Sequence, residues 1–384
     1  MLTETPFIIS TIRNLYMFID NTEKETILKP LQLVIGIVER KQTLPILSNV
    51  LIEKEIDKIR FTATDLEIQI TTTIDAKNNE GEISSITVGG KKLQEILRIL
   101  PDQSKISIEN KENKALIKTN KSRFSLQTLP SQDFPKLNNQ LVNAKKIVLN
   151  QSVLKKLLLS VQYAMAQQDV RYYLNGVLLI IEGNKIKAVA TDGHRLAFNA
   201  SIIDGDHEKQ EIILPRKAVS ELCKLLTETD EIVEVEFSAQ QAKVSFSGIH
   251  LISKVIDGKF PDYDRVIPKY SNHLVMNRVL VQQALQRAAI LSNEKFRGVR
   301  FILTEKNLSI ISSNSEHEEA QEEIETEYHG EALDIGFNVN YLMDGLNNIA
   351  SEEVVFSFGD PNSSILITTT ENQEFRYVVM PMRI

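Results

Sequence analysis

Apolar positions along this chain switch between two spacings. At 88–100 (VGGKKLQEILRIL), Leu93, Ile96, Leu97 and Leu100 follow the three-, four- and seven-residue spacing of an amphipathic helix. At 280–289, Leu280, Ala284, Leu285 and Ala288 predict one apolar helix face, with Gln282, Gln283, Gln286 and Arg287 opposite. Between Lys185 and Ser201 the period falls to two, and the pattern reads strand, Asp192-Gly193, strand. Asp-Gly between such runs is the strongest short hairpin signal.

Four landmarks recur three times in the same order, and this repeat decides the fold class. The first is a helix-period segment followed by a strand: Leu28–Glu53, Val153–Glu182 and Leu280–Thr304. Its strands align at Asn49-Val50, Gly176-Val177 and Gly298-Val299. The second is a strand ending in a polar turn: FTATDLE (61–67), AVATDGHRLA (188–197) and SIISSNSE (309–316). The third is a helix behind a strand, at 88–100, 214–226 and 336–349. The fourth is a closing strand that runs into a proline; Pro135, Pro261 and Pro381 stand 126 and 120 residues apart. That period is far too long for a solenoid, so each copy is a whole domain. Hairpin-paired strands with helices on one side predict an α+β domain built on antiparallel sheet. Boundaries fall near Val142–Lys145 and Lys269–Asn272.

Composition narrows the class. The chain has 384 residues, too many for one ordinary core, and its 42% hydrophobic and 25% charged residues are those of a globular protein. A single cysteine, Cys223, excludes an intrachain disulfide, and no Cys/His cluster suggests a metal site. The apolar runs, such as Val177–Ile181, are strand-sized, too short to cross a bilayer as a helix. A reducing cytoplasm and no membrane fit these features. Met1–Tyr16 lacks the basic region and cleavage site of a signal peptide and reads as an N-terminal extension ahead of Met17. The net charge of −7 argues against tight phosphate binding by a basic surface.

From Met17 to Ile384 the sequence resembles the bacterial DNA sliding clamp. The resemblance rests on TLPILSN (43–49), QDVRYYLNG (168–176), ATDGHRLA (190–197), FPDYDRVIPK (260–269), LSNEKFRGVR (291–300) and YVVMPMRI (377–384). It implies three repeated clamp domains after an extension at 1–16, spanning 17–143, 144–270 and 271–384. Each is an antiparallel sheet with two helices facing a DNA pore. Two subunits join head to tail into a six-domain ring. A ring needs no strong phosphate affinity, which reconciles the acidic total with a DNA role. Lys29, Lys92, Arg98, Lys155, Lys156, Arg216 and Arg287 lie on polar helix faces, with Glu95, Glu221 and Asp344 among them.

By the same resemblance, DNA contacts fall on Lys41, Lys91, Gln168, Tyr172, Tyr173 and Lys217. The family commonly carries Arg at the first two; Lys keeps the charge without the planar fork. Packing in a strand is the plain alternative for Tyr172 and Tyr173. A groove for short partner peptides is implied at Leu174, Thr191, Gly193, His194, Arg195, Leu196, Pro261, Val266, Val378, Met380, Pro381 and Met382. Met side chains repack around varied ligands, and Arg195 and His194 on the rim are expected to bond a peptide backbone. The alternative is that Val378 and Met380 are core. The implied partners are double-stranded DNA, the replicative polymerase's catalytic subunit and the clamp loader. Translesion and repair polymerases, ligase and mismatch-repair proteins complete the set, and no cofactor is expected. The protein is expected at the nucleoid during replication.

The dimer interface is expected at Lys121, Arg123, Phe124 and Leu126 of the first domain. Its other half is Ile290, Leu291 and an acidic run (Glu316, Glu318, Glu319, then Glu322 and Glu323) on the third domain's second-landmark strand. Opposite charges suit a heterologous contact that closes on itself, and an acidic strand edge also resists aggregation. Two rival functions remain. One is a peptide-binding adaptor without a DNA role. The other is a hydrolase using Asp192 and His194. Against the second, the first copy has Leu66-Glu67 after Thr64-Asp65, and the third has Asn314-Ser315.

Overall fold

The structure, a computed structural model, describes residues 17–39, 43–75 and 83–384. The extension at 1–16 lies outside the described residues. The first repeat contains β1 (Met17–Glu23), α1 (Lys24–Val34), β2 (Asn49–Lys54), β3 (Lys58–Thr64), β4 (Ile68–Asp75) and β5 (Ser84–Gly89). It ends with α2 (Gly90–Ile99), β6 (Lys105–Lys111), β7 (Lys114–Lys118) and β8 (Arg123–Gln127). The second contains β9 (Lys145–Asn150), α3 (Gln151–Leu159), β10 (Gly176–Thr191), β11 (Arg195–Pro215) and α4 (Arg216–Leu225). Three short strands complete it: β12 (Ile232–Phe237), β13 (Gln241–Phe246) and β14 (Ile249–Lys254). The third contains β15 (Asn272–Asn277), α5 (Arg278–Ala289), β16 (Gly298–Thr304), β17 (Asn307–Ser313), β18 (Glu319–Glu325) and β19 (Leu333–Asn338). It closes with α6 (Val339–Asn348), β20 (Glu353–Phe358), β21 (Ile365–Thr369) and β22 (Arg376–Val379).

The first and third repeats share one order of elements. The second has two long strands where they have four. β10 and β11 carry register shifts on either side of Gly183, so each is two shorter strands run together through irregularities. The three aligned strands, β2, β10 and β16, start at Asn49, Gly176 and Gly298, as the repeat predicts.

The described residues form four sheets, every pairing among them antiparallel. Their orders are β1-β6-β7-β8, β5-β2-β3-β4-β14-β13-β12-β9, β10-β11-β22-β21-β20-β15 and β18-β17-β16-β19. One rule joins the repeats. The last-but-one strand before a repeat's second helix, or its long equivalent, pairs with the closing strand of the next repeat. β4 pairs with β14, from Ile249↔Thr72 to Ser253↔Ile68. β11 pairs with β22, from Arg195↔Val379 to Phe198↔Arg376. The third strand of this kind, β18, and the first closing strand, β8, are both sheet edges.

The chain forms two compact units, residues 1–151 with 224–254 and residues 152–223 with 255–384. In the first, α1 and α2 bury Ile27, Leu31, Leu93 and Leu97 completely, as are Phe61 and Ile70 of the sheet. In the second, Phe301 lies 5.5 Å from Phe337 and 6.4 Å from Phe356, joining two sheets through one aromatic core.

Two expectations need correction. Leu280 is 57% exposed, and Val281 is buried with Ala284, Leu285 and Ala288. At 100° per residue, Val281 lies at the centre of that stripe and Leu280 at its margin. The acidic run is not on the second-landmark strand, β17, which ends at Ser313. Glu316 and Glu318 lie in the following turn, and Glu319, Glu322 and Glu323 lie on β18.

Candidate functional site

The hairpin between β10 and β11 closes at Thr191↔Leu196, a wider loop than the Asp-Gly pair alone suggests. Thr191 Oγ1 donates to the Arg195 carbonyl (2.6 Å) and accepts from Gly193 N (3.1 Å). Asp192 Oδ1 accepts from the amides of His194 (2.9 Å) and Arg195 (3.0 Å). Gly193 has φ +89°, and a Cβ there would stand 3.0 Å from the Arg171 guanidinium. The first repeat builds the same turn. Thr64 Oγ1 donates to Ile68 O and accepts from Leu66 N, and Asp65 Oδ1 accepts from Glu67 N and Ile68 N. The Thr-Asp pair is therefore a turn device, and Asp192 is engaged in it rather than poised for acid–base work.

Arg195 is engaged by its neighbours. Its side chain is 9% exposed. Nε donates to Asp192 (3.1 Å), one terminal nitrogen to Asp344 (2.5 Å) and the other to the Tyr163 carbonyl (2.6 Å). Its plane lies 4.6 Å from the Tyr341 ring centroid, and that ring also stacks on His194 at 6.3 Å. Arg195 thus ties the hairpin to α6 and to the turn after α3. His194 remains exposed. Tyr341 and Asp344 escaped the sequence reading as groove residues because they sit on a helix far along the chain.

The remaining groove candidates divide into buried and more exposed residues. Leu174, Leu196 and Val378 are 1%, 2% and 0% exposed, in one cluster with Phe260 and Leu366, and Thr191 is also buried. Gly193, Pro261, Val266 and Met380 are exposed, and Pro381 and Met382 half-buried. The tail is fixed by its backbone: Met380 N donates to His194 O (2.9 Å) and Met382 N to Gly336 O (2.7 Å). A Cβ on Gly336 would stand 2.3 Å from the Met382 carbonyl oxygen. Ile384 lies over Gly298 and Gly336.

Leu174 ends a loop that carries the other candidates. Tyr172 and Tyr173 occupy a single 3-10 turn, not a strand, with ring centroids 5.9 Å apart. Tyr172 is 57% exposed, and Tyr173 packs on the same buried core cluster. Gln168 is exposed at φ +57°. The Asn175 amide braces the loop by bonding both backbone groups of Asp169 (2.9 Å each). Arg171 donates to the Asp169 carboxylate (2.9 and 3.0 Å) and to Asp192 O (3.2 Å). The hydrogen bonds from Arg171 hold the Asp169 carboxyl down to about 2.

Lys91 and Lys217 are half-buried on α2 and α4, and Lys41 lies outside the described residues. Two helix cations are otherwise engaged. Arg216 donates to Met165 O (3.1 Å), and Arg287 forms a forked pair with Glu322 (2.9 and 2.6 Å). Of the interface candidates, Ile290 is 76% exposed and Leu291 half-buried. Lys121, Arg123, Glu316, Glu318 and Glu319 are exposed, and Phe124 and Leu126 half-buried. Among the described residues, no helix is long and apolar enough to cross a membrane, and no group of His, Cys, Asp or Glu could hold a metal.

Three family models match successive stretches of the chain. Residues 18–138 match the N-terminal domain of the DNA polymerase III beta subunit, 148–262 its central domain and 264–383 its C-terminal domain. The chain is 44% identical over 366 residues to a beta sliding clamp of Pseudomonas aeruginosa, covering 94% of this chain and 99% of that one. Identity to the beta sliding clamp of Escherichia coli is 41% over 363 residues, with the same coverage. A crystal structure of a sliding clamp (DNA polymerase III subunit beta) from Pseudomonas aeruginosa, bound to griselimycin, is similar at TM-score 0.91 and 43% identity, covering 96% of this chain and 100% of that one. A pol III beta structure from Caulobacter crescentus is similar at TM-score 0.88 and 35% identity, covering 94% and 99%.

Proposed function

The chain belongs to the DNA polymerase III beta subunit family, the sliding clamps, and on that premise we propose that two copies join head to tail into a closed six-domain ring. The family is non-enzymatic: it supplies processivity by tethering the replicative polymerase to DNA. The domains would run 17–143, 144–270 and 271–384. The replicative polymerase's catalytic subunit, the clamp loader and the repair and ligase partners would share one peptide groove. Its floor is Leu174, Leu196 and Val378, and its rim is His194, Pro261, Val266, Met380 and Met382. Duplex DNA would meet Gln168, Tyr172, Lys91 and Lys217 inside the ring, in the cytoplasm.

One observation carries the reading. Within the chain, each repeat hands an edge strand to the closing strand of the next repeat, at β4–β14 and β11–β22. Among the described residues, the series stops with β18 of the third repeat and β8 of the first at sheet edges. A second copy continues it. The edges are complementary: Lys121 and Arg123 with Phe124 and Leu126 on one, Glu319 and Glu323 with Ile290 and Leu291 beside the other. Light scattering should give twice the 43.5 kDa chain mass. Ile290→Ala with Leu291→Ala should shift it towards monomer, each truncation costing about 2–5 kcal/mol if the side chain is buried in the dimer. A monomeric wild-type chain at micromolar concentration would end the ring hypothesis.

A further inference from the structure

We propose that the subunit junction has a second apolar anchor, with Ile99 of one copy seated in a groove formed by Val275, Leu280 and Ile324 of the other. The proposal rests on the head-to-tail reading above and adds residues to it. Ile99, the last residue of α2, is 78% exposed, whereas Leu93 and Leu97 of the same helix are wholly buried. The groove lies between the start of α5 and the end of β18. Leu280 and Val275 are 57% and 50% exposed in it, and Ile324 half-buried. Its wall includes the Thr326 hydroxyl, which is buried with no hydrogen-bond partner.

The register brings the two together. The chain passes from Ile99 through residues 100–104 into β6 at Lys105. The pairs Ser107↔Lys118 and Lys118↔Arg123 place that end of the sheet at the Arg123 end of β8. Both junctions within the chain are antiparallel. An antiparallel β8–β18 junction sets Arg123 opposite the Glu325 end of β18, where the groove opens. Charge agrees: exposed Arg98 precedes Ile99, and Glu325 and Glu327 line the groove with one lysine, Lys306.

The test joins the two residues covalently. The Ile99→Cys, Leu280→Cys double variant is treated with diamide. The reagent takes two electrons and two protons from the facing thiols as the S–S bond forms. A covalent species of twice the chain mass on non-reducing gels is expected, absent from either single variant. The one native cysteine, Cys223, is buried, which pushes its thiol up to about 12 and keeps it out of the exchange. In a second arm, Ile99→Asp should raise the dimer dissociation constant at least about tenfold in sedimentation experiments. If the wild-type chain is dimeric but the cysteines do not link and Ile99→Asp dissociates no more readily, the anchor is wrong and the ring stands. A monomeric wild-type chain overturns both.

Discussion

Arg195 shows how one side chain can organise the surface around a hairpin. Its fork holds Asp192, Asp344 and the Tyr163 carbonyl, and its face covers Tyr341. Arg195→Ala should lower unfolding free energy by about 2–3 kcal/mol in urea titrations, below the fully buried limit because Asp344 is 43% exposed. Arg195→Lys should restore less than half, since an ammonium group cannot reproduce a planar fork. The Asp169–Arg171 pair makes a pH prediction. A carboxyl held down to about 2 from 3.8 contributes stability above pH 3.8 that is lost as pH falls through 2. An NMR titration of Asp169 should have its midpoint near 2, and Arg171→Ala should return it towards 3.8. The turn at Asp192 and Gly193 was legible in sequence because its bonds are local. The contact between Arg195 and Asp344 was not, because it joins residues 149 apart.

Among the elements, strand starts at Asn49, Gly176 and Gly298 were readable because the same apolar onset occurs three times. The fused strands β10 and β11 were not, since the polar stretch Glu182-Gly183-Asn184-Lys185 reads as a turn between two strands, whereas the ladder runs across it through register shifts. Nor was the place of Glu319 and Glu323 on a separate strand, since a short turn and a continuing edge have the same polar composition. The C-terminal tail illustrates position set by neighbours. Gly336 lets the Met382 carbonyl approach, so Gly336→Ala must push the tail away. Calorimetry should then show a polymerase-derived peptide binding at least about tenfold more weakly, with the dimer mass unchanged. Deleting Met380–Ile384 should go further, to a loss of about 100-fold or more, since two Met contacts are worth roughly 3–6 kcal/mol as an upper figure. Undiminished binding by the truncated chain would place the groove elsewhere.

For the whole molecule, a charge of −7 makes simple attraction to DNA weak. A loaded ring should therefore persist on nicked circular DNA in high salt and leave once the circle is cut. Equal, salt-sensitive binding to circles and linear fragments would favour a phosphate-binding surface instead. Composition set this problem, and the family resemblance, rather than any residue pattern, supplied the ring that answers it. Which strands join successive repeats had no sequence signal, because backbone hydrogen bonds are nearly blind to side chains. Those junctions also provide a clock. Amides between β4 and β14 exchange with deuterated water only when the fold itself opens. In the proposed ring, amides on the outer edges of β8 and β18 would be shielded only while two copies stay together. Their relative labelling rates would time the parting of the subunits in a chain that never unfolds, without any dye or tether.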